Sequence, residues 1–386
     1  MTGVILTLNA GSSSIKFAAY TAEAEPALEA SGMVDALGAD ARLILKPEGA
    51  PKTTKDLGPT DHVAGVGAIL DALSPILDGR TVHGVGHRIV HGGPEIDGPR
   101  LLDDPLLGYL DTLKPLAPLH QPHNLAAVRA ARAAFPDAVQ VGAFDTAFHR
   151  GHPKVNDVFA LPRRYYDQGV RRYGFHGLSY DFIAGKMARD YPDLARGKLI
   201  VAHLGNGASL CGIENGRSIS STMGFSALEG LCMGTRPGQV DPGVLLYLMK
   251  EEGMGYDDLT HLLYKESGML GLSGISHDMR ALLASDAPEA AEAIAYYCNR
   301  LAREIGAMAA VLGGINALVF TGGVGENAAP IRARALEGLG FLGLDLDPEA
   351  NAANATVVDA GRVPILVLPT DEESVIARAT KALLAE

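Results

Sequence analysis

Two segments of the chain share a pattern of apolar residues interrupted by asparagine, glycine and serine, a pattern that can bind phosphate. The first is VILTLNAGSSSIKFAAY at residues 4–20, and the second is KLIVAHLGNGASLCGIENGRSI at residues 198–219. Glycine lets the backbone take positive φ angles, so that consecutive N–H groups and serine hydroxyls can surround an anion. An ordinary β-hairpin turn uses the same residue types and is the alternative for either segment alone. Because the pattern occurs twice, we expect a duplicated domain with a nucleotide in the cleft between the two copies.

A third glycine-rich segment, ALVFTGGVGENAA at residues 317–329, follows a predicted buried strand and precedes a predicted helix that begins near Pro330. It lacks the residue order of the P-loop and only loosely resembles the dinucleotide-binding GxGxxG pattern. In the company of the two phosphate turns, we interpret it as a loop where the backbone approaches an adenosine closely. Glu326 and Asn327 would then cap the following helix or contact the ligand.

Charged residues stand at the ends of several predicted strands. Arg88 lies inside the apolar run GVGHRIVHGG, where an unpaired charge is costly, so we expect either an anionic ligand or a buried ion pair beside it. Asp145 ends the strand in VGAFDTAFH and is either a ligand of a hard cation or the N-cap of a helix. Three acids in LVLPTDEES begin the last helix, where they suit the helix dipole or a magnesium ion bound to phosphates.

Two further side chains are candidates for ligand contact. Arg236 lies in the glycine- and proline-containing segment LEGLCMGTRPGQVDPG, a rigid mounting for a guanidinium that reaches a ligand. A solvated surface arginine is the alternative there. His176, in YGFHGLSY, comes just before a predicted helix and either points into a cleft or has a structural partner.

The elements that must position these residues alternate between strands and helices, which indicates an α/β fold. Predicted strands are runs rich in Val, Ile and Leu with Gly, Pro, Asn or Asp at their ends, at 3–9, 14–20, 82–91, 138–145, 197–204, 208–213, 316–321 and 364–369. Predicted helices have apolar residues that recur at spacings of three and four, at 122–134, 178–190, 286–313 and 372–385.

Length and composition argue against several classes of protein. A chain of 386 residues exceeds the size that one hydrophobic core usually holds, which favours two domains. The net charge of −12, without a basic block, argues against nucleic acid as a partner. Since no apolar run is long enough for a membrane span and the first has no signal-peptide features, we expect a cytoplasmic protein without membrane contact. Cys211, Cys232 and Cys298 lack CxxC spacing, which favours small buried side chains over a disulfide framework or a zinc site.

Taken together and in order, a series of motifs resembles the acetokinase family, the family of the acetate kinases within the sugar kinase, heat-shock ATPase and actin superfamily. The motifs are LNAGSSSIKF, GHRIVHGG, APLH, FDTAFH, RRYGFHG, HLGNGAS, MGTRPG, FTGGVGEN and TDEE, from residue 4 to the final helix. The resemblance implies two actin-like (ribonuclease H-like) domains, each a mixed sheet flanked by helices, with the nucleotide in the interdomain cleft. We expect the N-terminal domain to comprise 1–146 with 373–386, and the C-terminal domain, 147–372, to bind the nucleotide and form a homodimer.

The resemblance also implies an activity, the reversible, Mg²⁺- or Mn²⁺-dependent transfer of the γ-phosphate of ATP to acetate, which gives acetyl phosphate and ADP by direct in-line transfer. The chemistry agrees, because a carboxylate acceptor is already ionised at neutral pH and needs charge neutralisation rather than a general base. By the resemblance, Arg88 orients the carboxylate, while Arg236 and His176 stabilise the transition state. Asp145 and Glu372 would hold the metal ion.

The same resemblance assigns residues to each part of the site. The positions that match nucleotide-binding motifs are Ser12, Ser14, Lys16, His203, Leu204, Gly205, Asn206, Gly207, Asp278, Met279, Arg280, Gly323, Val324, Gly325, Glu326 and Asn327. The positions that match the acyl-substrate site are Arg88, Val90, Leu119, His120 and Phe175. Catalytic positions are Asp145, Arg88, Arg236 and His176, and metal-binding positions are Asn9, Asp145 and Glu372.

The chain departs from the family pattern beside the site. Gln121 and His123 stand where the family usually has Asn and Pro, and Gln239 stands where it usually has Asp. Ala227 replaces the usual Pro of the acyl pocket, and a roomier wall would admit propionate, since a methylene is worth only about 1–3 kcal/mol there. Val90 favours acetate. An actin-like or chaperone-type ATPase without an acyl acceptor is the alternative from another class, which the two arginines disfavour because neutral water has less need of them.

Overall fold

The computed structural model describes residues 3–11, 13–118 and 120–384. Ser12 and Leu119, which the sequence assigns to the nucleotide and acyl sites, lie outside the described residues. The chain separates into two compact units, the first comprising Met1–Arg150 and Asp371–Glu386 and the second comprising Gly151–Thr370.

The unit boundaries differ slightly from the predicted ones, which ended the first segment at 146 and began the last at 373. A short 3-10 turn at Ala147–His149 follows the last long strand of the first unit and stays with it. Asp371 accepts a hydrogen bond from the backbone N–H of Ser374 and so begins the C-terminal helix. A strand end and a helix cap thus remain with the elements that they terminate, and the predicted domain roles stay a prediction.

The first unit is built on an eight-stranded mixed sheet with the strand order β5-β4-β3-β2-β1-β6-β8-β7. The strands are β1 (Val4–Ala10), β2 (Ile15–Thr21), β3 (Leu28–Asp35), β4 (Gly38–Pro47), β5 (Thr53–Thr60), β6 (Val82–Ile89), β7 (Arg100–Leu101) and β8 (Val139–Phe144). β1 and β2 form an antiparallel hairpin, whereas β6 pairs in parallel with both β1 and β8. The carboxyl ends of β1, β6 and β8 therefore lie at one edge of this sheet.

Helices cover both faces of the first sheet. They are α1 (His62–Leu77), α2 (Asp104–Thr112), α3 (Gln121–Ala134) and the C-terminal helix (Glu372–Leu383). Alternate residues of β1 face opposite sides, as a strand requires. Leu6 and Leu8 join the core beneath α1 and α3, whereas Ile5 packs with Ala377 of the C-terminal helix. The C-terminal helix thus brings its acidic first turn to the sheet that carries Arg88 and Asp145.

The second unit is built on a five-stranded mixed sheet with the order β11-β10-β9-β12-β13. Its strands are β9 (Lys198–Leu204), β10 (Ala208–Glu214), β11 (Arg217–Ser221), β12 (Ala317–Thr321) and β13 (Ile365–Val367). β10 pairs antiparallel with β9 and β11, and β12 pairs parallel with β9 and β13. The order and directions are those of β3-β2-β1-β6-β8 in the first unit. The predicted duplication is confirmed in the topology of the two sheets.

The helices of the second unit are mostly short. They are α4 (Lys154–Asp157), α5 (Arg163–Asp167), α6 (Gly177–Asp190), α7 (Pro192–Ala195), α8 (Pro242–Glu251), α9 (Tyr256–His261), α10 (Gly268–Ser273), α11 (Met279–Leu283), α12 (Pro288–Leu312), α13 (Gly322–Asn327), α14 (Ala329–Leu336) and α15 (Pro348–Ala352). The long helix α12 packs against β10, α10 and α14 and is the main support of the sheet. It ends at Gly313, whose φ of 67° lies in the left-handed region that favours glycine.

The predicted strands and helices are confirmed as elements, with ends that differ by a few residues. One interpretation was wrong: the glycine-rich segment GGVGEN is helix α13 rather than a loop. Glu326 makes this possible, because its carboxylate accepts the backbone N–H of Gly322 at 2.9 Å and so caps the start of its own helix. Glu326 and Asn327 do not cap the next helix, α14, whose N-cap is Ala328 without a side-chain hydrogen bond.

The prediction for the cysteines is confirmed, since all three thiols are free and buried. Burial raises the pKa of Cys211 and of Cys232 to about 12 and that of Cys298 to about 11. Among the described residues, no helix is both long and apolar enough to cross a bilayer.

Candidate active site

The turn between β1 and β2 is held from two helices. The N–H of Gly11 donates to the carbonyl of Ser14 at 2.8 Å and closes the turn. His62 Nε2, in the first turn of α1, lies 2.7 Å from the carbonyl oxygen of Gly11. Asn124 Nδ2, on α3, donates to the carbonyl of Ala10 at 2.6 Å. Two backbone carbonyls at the start of the first phosphate turn are therefore fixed by side chains from outside the hairpin.

Arg88 and Asp145 meet at the carboxyl ends of the neighbouring strands β6 and β8. The guanidinium donates through Nε and Nη2 to the carboxylate at 3.0 and 2.6 Å, and through Nη1 to Asn9 Oδ1 at 3.1 Å. The ion pair that the sequence left open as an alternative is thus present. Asp145 is not a helix N-cap, since the N-cap of the 3-10 turn that follows is Thr146. These bonds use three of the five N–H groups of Arg88, whose side chain is 22% exposed, so a further oxygen ligand can reach it.

The acidic turn at the start of the C-terminal helix supplies negative charge to the same unit. Burial acts to lower the pKa of Arg88, but the carboxylates of Asp145, Glu372 and Glu373 outweigh it and the pKa is raised, so this arginine is always charged. Burial, with Glu372 beside it, raises the pKa of Glu373, while Lys16 on β2 acts in the opposite direction. Glu373 is the third acid of the TDEE motif, and the family resemblance assigned no role to it.

The turn between β9 and β10 is the counterpart in the second unit. It closes through a hydrogen bond from Gly205 N–H to the carbonyl of Gly207 at 2.9 Å. A side chain on Gly207 would meet two functional groups, because its Cβ would lie 2.8 Å from Arg236 Nη2 and 3.2 Å from His176 Nε2. The structure thus brings three predicted residues together at one point. Only glycine leaves room for the guanidinium and the imidazole to approach this backbone.

His176 stands at the start of α6 in an unusual backbone conformation and is stacked on a second histidine. Its φ of 57° is left-handed, and its ring lies 4.3 Å from the ring of His203 with an angle of 28° between the planes. His176 Nδ1 lies 2.8 Å from Ser209 Oγ, and His203 Nδ1 lies 2.8 Å from Ser179 Oγ. Of the two alternatives for His176, a structural partner is present, and the ring also reaches the phosphate turn.

Arg236 lies on the loop before α8. Its Nη1 donates to the carbonyl of Ala227 at 2.8 Å, and burial lowers its pKa from the usual value. Gly268, with a φ of 65°, packs against the backbone of Arg236 so closely that a Cβ would come within 2.8 Å of its nitrogen. Among the described residues, the guanidinium donates to a backbone carbonyl and forms no ion pair with a carboxylate, so its positive charge is not neutralised there.

Beside this turn the second unit has an open cavity of about 550 Å³. Its lining residues are Gly205, Asn206, Gly234, Met269, His277, Asp278, Met279, Arg280, Leu283, Tyr297, Gly323, Val324, Asn327, Ala328 and Pro330. Three predicted nucleotide-binding segments therefore meet, from the β9–β10 turn, from α11 and from α13. The apolar side chains suit a purine ring, and the turn suits phosphates. Sequence reasoning missed Met269 and Tyr297, which come from helices without a recognisable motif, and Leu283, which ends the predicted segment α11.

Several predicted nucleotide residues have hydrogen-bond partners within the protein, and two of them, Gly325 and Glu326, do not line the cavity. Gly325 presents its carbonyl to Arg332 Nη1 at 2.8 Å, and Glu326 caps α13. Asp278 caps α11 and pairs with Arg280 at 2.6 Å, and this pairing lowers the pKa of Asp278 to about 2. Asp278 is therefore a charged acceptor at the cavity rim.

The predicted acyl-substrate residues belong to both units. Val90 is buried directly after β6, and its N–H donates to Asn124 Oδ1 at 2.9 Å. His120 precedes α3 in the first unit, and Phe175 is buried beside His176 in the second unit. That these residues line one acyl pocket stays a prediction. Asn124 was not predicted, although it follows directly on the HQPH segment that was singled out for its departures.

Two α/β units with a repeated sheet topology, one with an arginine and carboxylates at a sheet edge and the other with a cavity beside a phosphate turn, define an actin-like phosphotransferase. The chain belongs to the acetokinase family, whose model matches residues 4–378.

Curated relatives and solved structures match this chain over nearly its full length. The chain is 51% identical to an acetate kinase of Methylocella silvestris, over 100% of this chain and 98% of that protein. It is 48% identical to an acetate kinase of Rhizobium meliloti, over 99% and 98% of the two chains. A propionate kinase from Francisella tularensis is similar with a TM-score of 0.93 at 33% identity, over 98% of this chain and 99% of that chain. An acetate kinase from Porphyromonas gingivalis has a TM-score of 0.89 at 35% identity, over 99% and 100%.

Proposed function

We propose that this chain catalyses the reversible transfer of the γ-phosphoryl group of ATP to acetate, which gives acetyl phosphate and ADP. The observation that carries the proposal is the convergence of Arg236 Nη2 and His176 Nε2 on Gly207, at the turn that also borders the cavity through Asn206. Phosphoryl transfer depends on positioning and on stabilising charge at the transferred group. Two nitrogen donors beside a phosphate turn meet that requirement.

The acceptor is a carboxylate, and this explains the number of arginines. Acetate is ionised at neutral pH, so no base has to remove a proton, but two anions must be brought together. Arg88 orients the acetate carboxylate through the N–H groups that Asp145 and Asn9 leave available. Arg236 and His176 stabilise the equatorial oxygens as the phosphoryl group passes in line to the acceptor oxygen. An ATPase that uses neutral water needs no counterpart of Arg88.

The donors of the first unit suit a magnesium ion. Asp145, Asn9 and Glu372 all offer oxygen, and Mg²⁺ in kinases is typically held by one or two carboxylates together with substrate phosphates and water. Among the described residues no group of three or more His, Cys, Asp or Glu side chains is arranged to hold a metal. A site completed by the phosphates of ATP agrees with that finding. When bound, Mg²⁺ neutralises the β- and γ-phosphate oxygens.

Acetate rather than propionate is the proposed substrate. Val90 is 5% exposed and Phe175 is 3% exposed, so both are tightly packed apolar side chains. Ala227 still presents its carbonyl to Arg236, so the loss of the family's proline leaves this backbone contact in place. Since one methylene changes binding by only about 1–3 kcal/mol, we expect propionate to react with a lower kcat/KM.

The test is hydroxylamine trapping of acyl phosphate from MgATP with acetate, propionate, butyrate and glycerol in parallel. We expect acetyl hydroxamate with the highest kcat/KM for acetate and no acid-independent turnover of comparable rate. A higher kcat/KM for propionate than for acetate would make propionate the preferred substrate, while the proposed reaction type would stand. Hydrolysis of ATP that does not depend on any acid, without hydroxamate, would reject the proposal in favour of an ATPase.

The second unit also carries a surface that suits a second copy of the chain. Helix α8 has no buried residue, although its sequence PGVLLYLMKE is largely apolar. Leu246 is 67% exposed and Tyr247 is 58% exposed. Adjacent apolar side chains exposed over a whole helix are typical of an interface. We propose that the homodimer implied by the family resemblance forms through α8.

A further inference from the structure

Ser209 lies between the imidazole of His176 and the phenol of Tyr180. Its Oγ is 2.8 Å from His176 Nδ1 and 2.5 Å from the Tyr180 hydroxyl. Ser209 is on β10, two residues after Gly207, while His176 and Tyr180 are four residues apart at the start of α6 and thus share one face of the helix. Ser209 and Tyr180 are both fully buried. A buried hydroxyl needs a hydrogen-bond partner, and these two hydroxyls meet that need through each other and through His176.

The protons in this chain of hydrogen bonds have a preferred direction. A phenol is a stronger proton donor than an aliphatic hydroxyl, so Tyr180 donates to Ser209 Oγ. The single proton of Ser209 is then directed to His176 Nδ1, which must accept it as a bare nitrogen. A neutral imidazole has only one N–H, so its proton is placed on Nε2. Burial raises the pKa of Tyr180 well above the usual value, which keeps the phenol protonated and able to donate.

We propose that Tyr180 and Ser209 are positioning residues that hold His176 in the Nε2–H tautomer, so that the ring presents an N–H donor at the phosphate turn. Nε2 is the nitrogen that faces Gly207, next to Arg236 Nη2. In the opposite tautomer this nitrogen would be an acceptor and would repel phosphate oxygens. The inference rests on the proposed function for its catalytic consequence, but the tautomer itself is a property of the protein alone.

The stacked partner opposes a positive charge on both rings at once. His203 lies face to face with His176 at 4.3 Å, and two charged imidazoles at that distance would repel each other. His203 repeats the arrangement, with Nδ1 bonded to Ser179 Oγ and Nε2 on the side of Gly205. Because a neutral ring has one donor, the choice of tautomer decides whether that donor faces the phosphate.

The first measurement is the histidine tautomer in the full chain, by ¹⁵N–¹³C NMR of ring-labelled histidine. The His176 signal is assigned by its loss in His176→Gln. We expect the Nε2–H tautomer in the wild type. Ser209→Ala should produce a mixture with the Nδ1–H form, and Tyr180→Phe a smaller shift in the same direction, because Ser209 can still donate. Wild-type His176 in the Nδ1–H form would overturn the proposal, whatever the activity.

The second measurement is steady-state acyl phosphate formation by the same variants. Ser209→Ala should lower kcat by on the order of 10- to 100-fold and Tyr180→Phe by less, with KM for ATP and acetate near the wild-type values, because the donor acts on the transferred group. Ser209→Thr, which keeps the hydroxyl, should restore most of the rate. Unchanged kcat and an unchanged tautomer in both Ser209→Ala and Tyr180→Phe would overturn the proposal.

A matched control is Ser218→Ala on β11. Ser218 is also a buried serine bonded to a histidine, with its Oγ 2.6 Å from His152 Nε2, but it is not part of the phosphate turn. Its removal should leave the His176 tautomer and kcat unchanged. An equal loss of kcat in Ser218→Ala would mean that removing any buried serine disturbs the sheet, and the positioning role would be rejected. If no variant, including the wild type, makes acyl phosphate, the proposed function fails while the NMR result still decides the tautomer.

Discussion

The Nδ2 atom of Asn124 donates to the carbonyl of Ala10 at 2.6 Å, while the same side chain accepts the N–H of Val90 at 2.9 Å. One amide on α3 therefore joins the start of the β1–β2 turn to Val90, directly after the end of β6. Asn124, Ala10 and Val90 are all buried, so neither backbone group has bulk water as an alternative partner.

Replacement of Asn124 by alanine should destabilise the protein by about 2 kcal/mol or more, because an unpaired buried N–H and C=O each cost about 1–3 kcal/mol. The measurement is urea unfolding with the slope m checked for constancy. Asn156→Ala is the control. The side chain of Asn156 donates to the carbonyl of Ile219 at 2.9 Å, so its removal leaves one backbone group unpaired and should lower the free energy of unfolding by less. An equal or smaller loss for Asn124→Ala would show that the two backbone groups find other partners.

Replacement of Arg88 by lysine should lower kcat/KM for acetate by on the order of 100-fold, while KM for ATP stays near the wild-type value. Lysine cannot make the two-nitrogen contact with Asp145 and still present N–H groups to a carboxylate. Arg80→Lys is the matched control, because Arg80 makes a similar two-nitrogen contact, with Glu29 at 2.7 and 2.9 Å, elsewhere in the first unit. Near-normal acetate kinetics in Arg88→Lys would remove Arg88 from the acceptor site.

Replacement of Gly207 by alanine should lower kcat by 10-fold or more, because its Cβ would fall within 3.2 Å of both Arg236 Nη2 and His176 Nε2. Gly306→Ala on α12 is the control, since a Cβ there meets nothing within 4 Å. That variant should keep full activity and gain about 0.5–1 kcal/mol of stability, as expected for glycine to alanine inside a helix. A Gly207→Ala enzyme as fast as Gly306→Ala would contradict the crowded geometry at the turn.

Acid should destabilise the first unit through His87. Burial lowers the pKa of His87 from the usual 6.5 to about 4, although a hydrogen bond to Gln140 opposes this. In the unfolded chain His87 takes up a proton near pH 6.5, whereas in the folded chain it does so only near pH 4. The stability that the neutral His87 contributes is therefore complete above pH 6.5 and is lost as the pH falls towards 4. It amounts to on the order of 3 kcal/mol. We expect His87→Gln to flatten the dependence of the unfolding free energy on pH in this window.

The control for the acid effect is His83→Gln on the same strand, because His83 is exposed. It should retain the wild-type slope. A residual slope in His87→Gln is expected from His91, whose pKa burial likewise lowers, to about 3. Identical slopes in the wild type and His87→Gln would contradict the assignment.

Replacement of Leu246 by glutamate should convert a dimer into a monomer, because it places a charge in the centre of the exposed apolar face of α8. Sedimentation velocity or light scattering gives the mass directly. Val155→Glu is the control, since Val155 is 80% exposed on a different helix, α4, and this variant should stay dimeric. A monomeric wild type at micromolar concentration, or a dimeric Leu246→Glu, would exclude α8 as the interface.

Strands and helices could be predicted from the sequence wherever a local pattern of apolar residues was enough to indicate the element. β1, β9 and β12 are mostly apolar runs because central strands are buried on both faces of the sheet. β4 and β5 were missed because most of their residues are exposed or half-buried, and β5 is largely polar and contains Gly58 and Pro59. GGVGEN was misread because glycine normally opposes a helix, and the carboxylate of Glu326 that caps it acts through a contact specific to the folded chain.

Within the site, motif residues were predictable but their supports were not. Arg236, His176 and Gly207 were all named from their segments, and the structure brings them together. Ser209 and Tyr180 are ordinary residues of a strand and a helix, and only the packing of α6 on the sheet places them beside His176. A contact between side chains of distant segments has no local signature, so it cannot be read from the types of its members.

The buried thiols have a practical consequence for labelling. Only a thiolate reacts rapidly with maleimides and oxidants, and pKa values of about 11 to 12 with complete burial leave almost none at neutral pH. The wild-type chain therefore already serves as a background without reactive cysteine. A single cysteine introduced at an exposed position such as Val155 would take a fluorophore or spin label selectively, and none of the native cysteines would have to be replaced first.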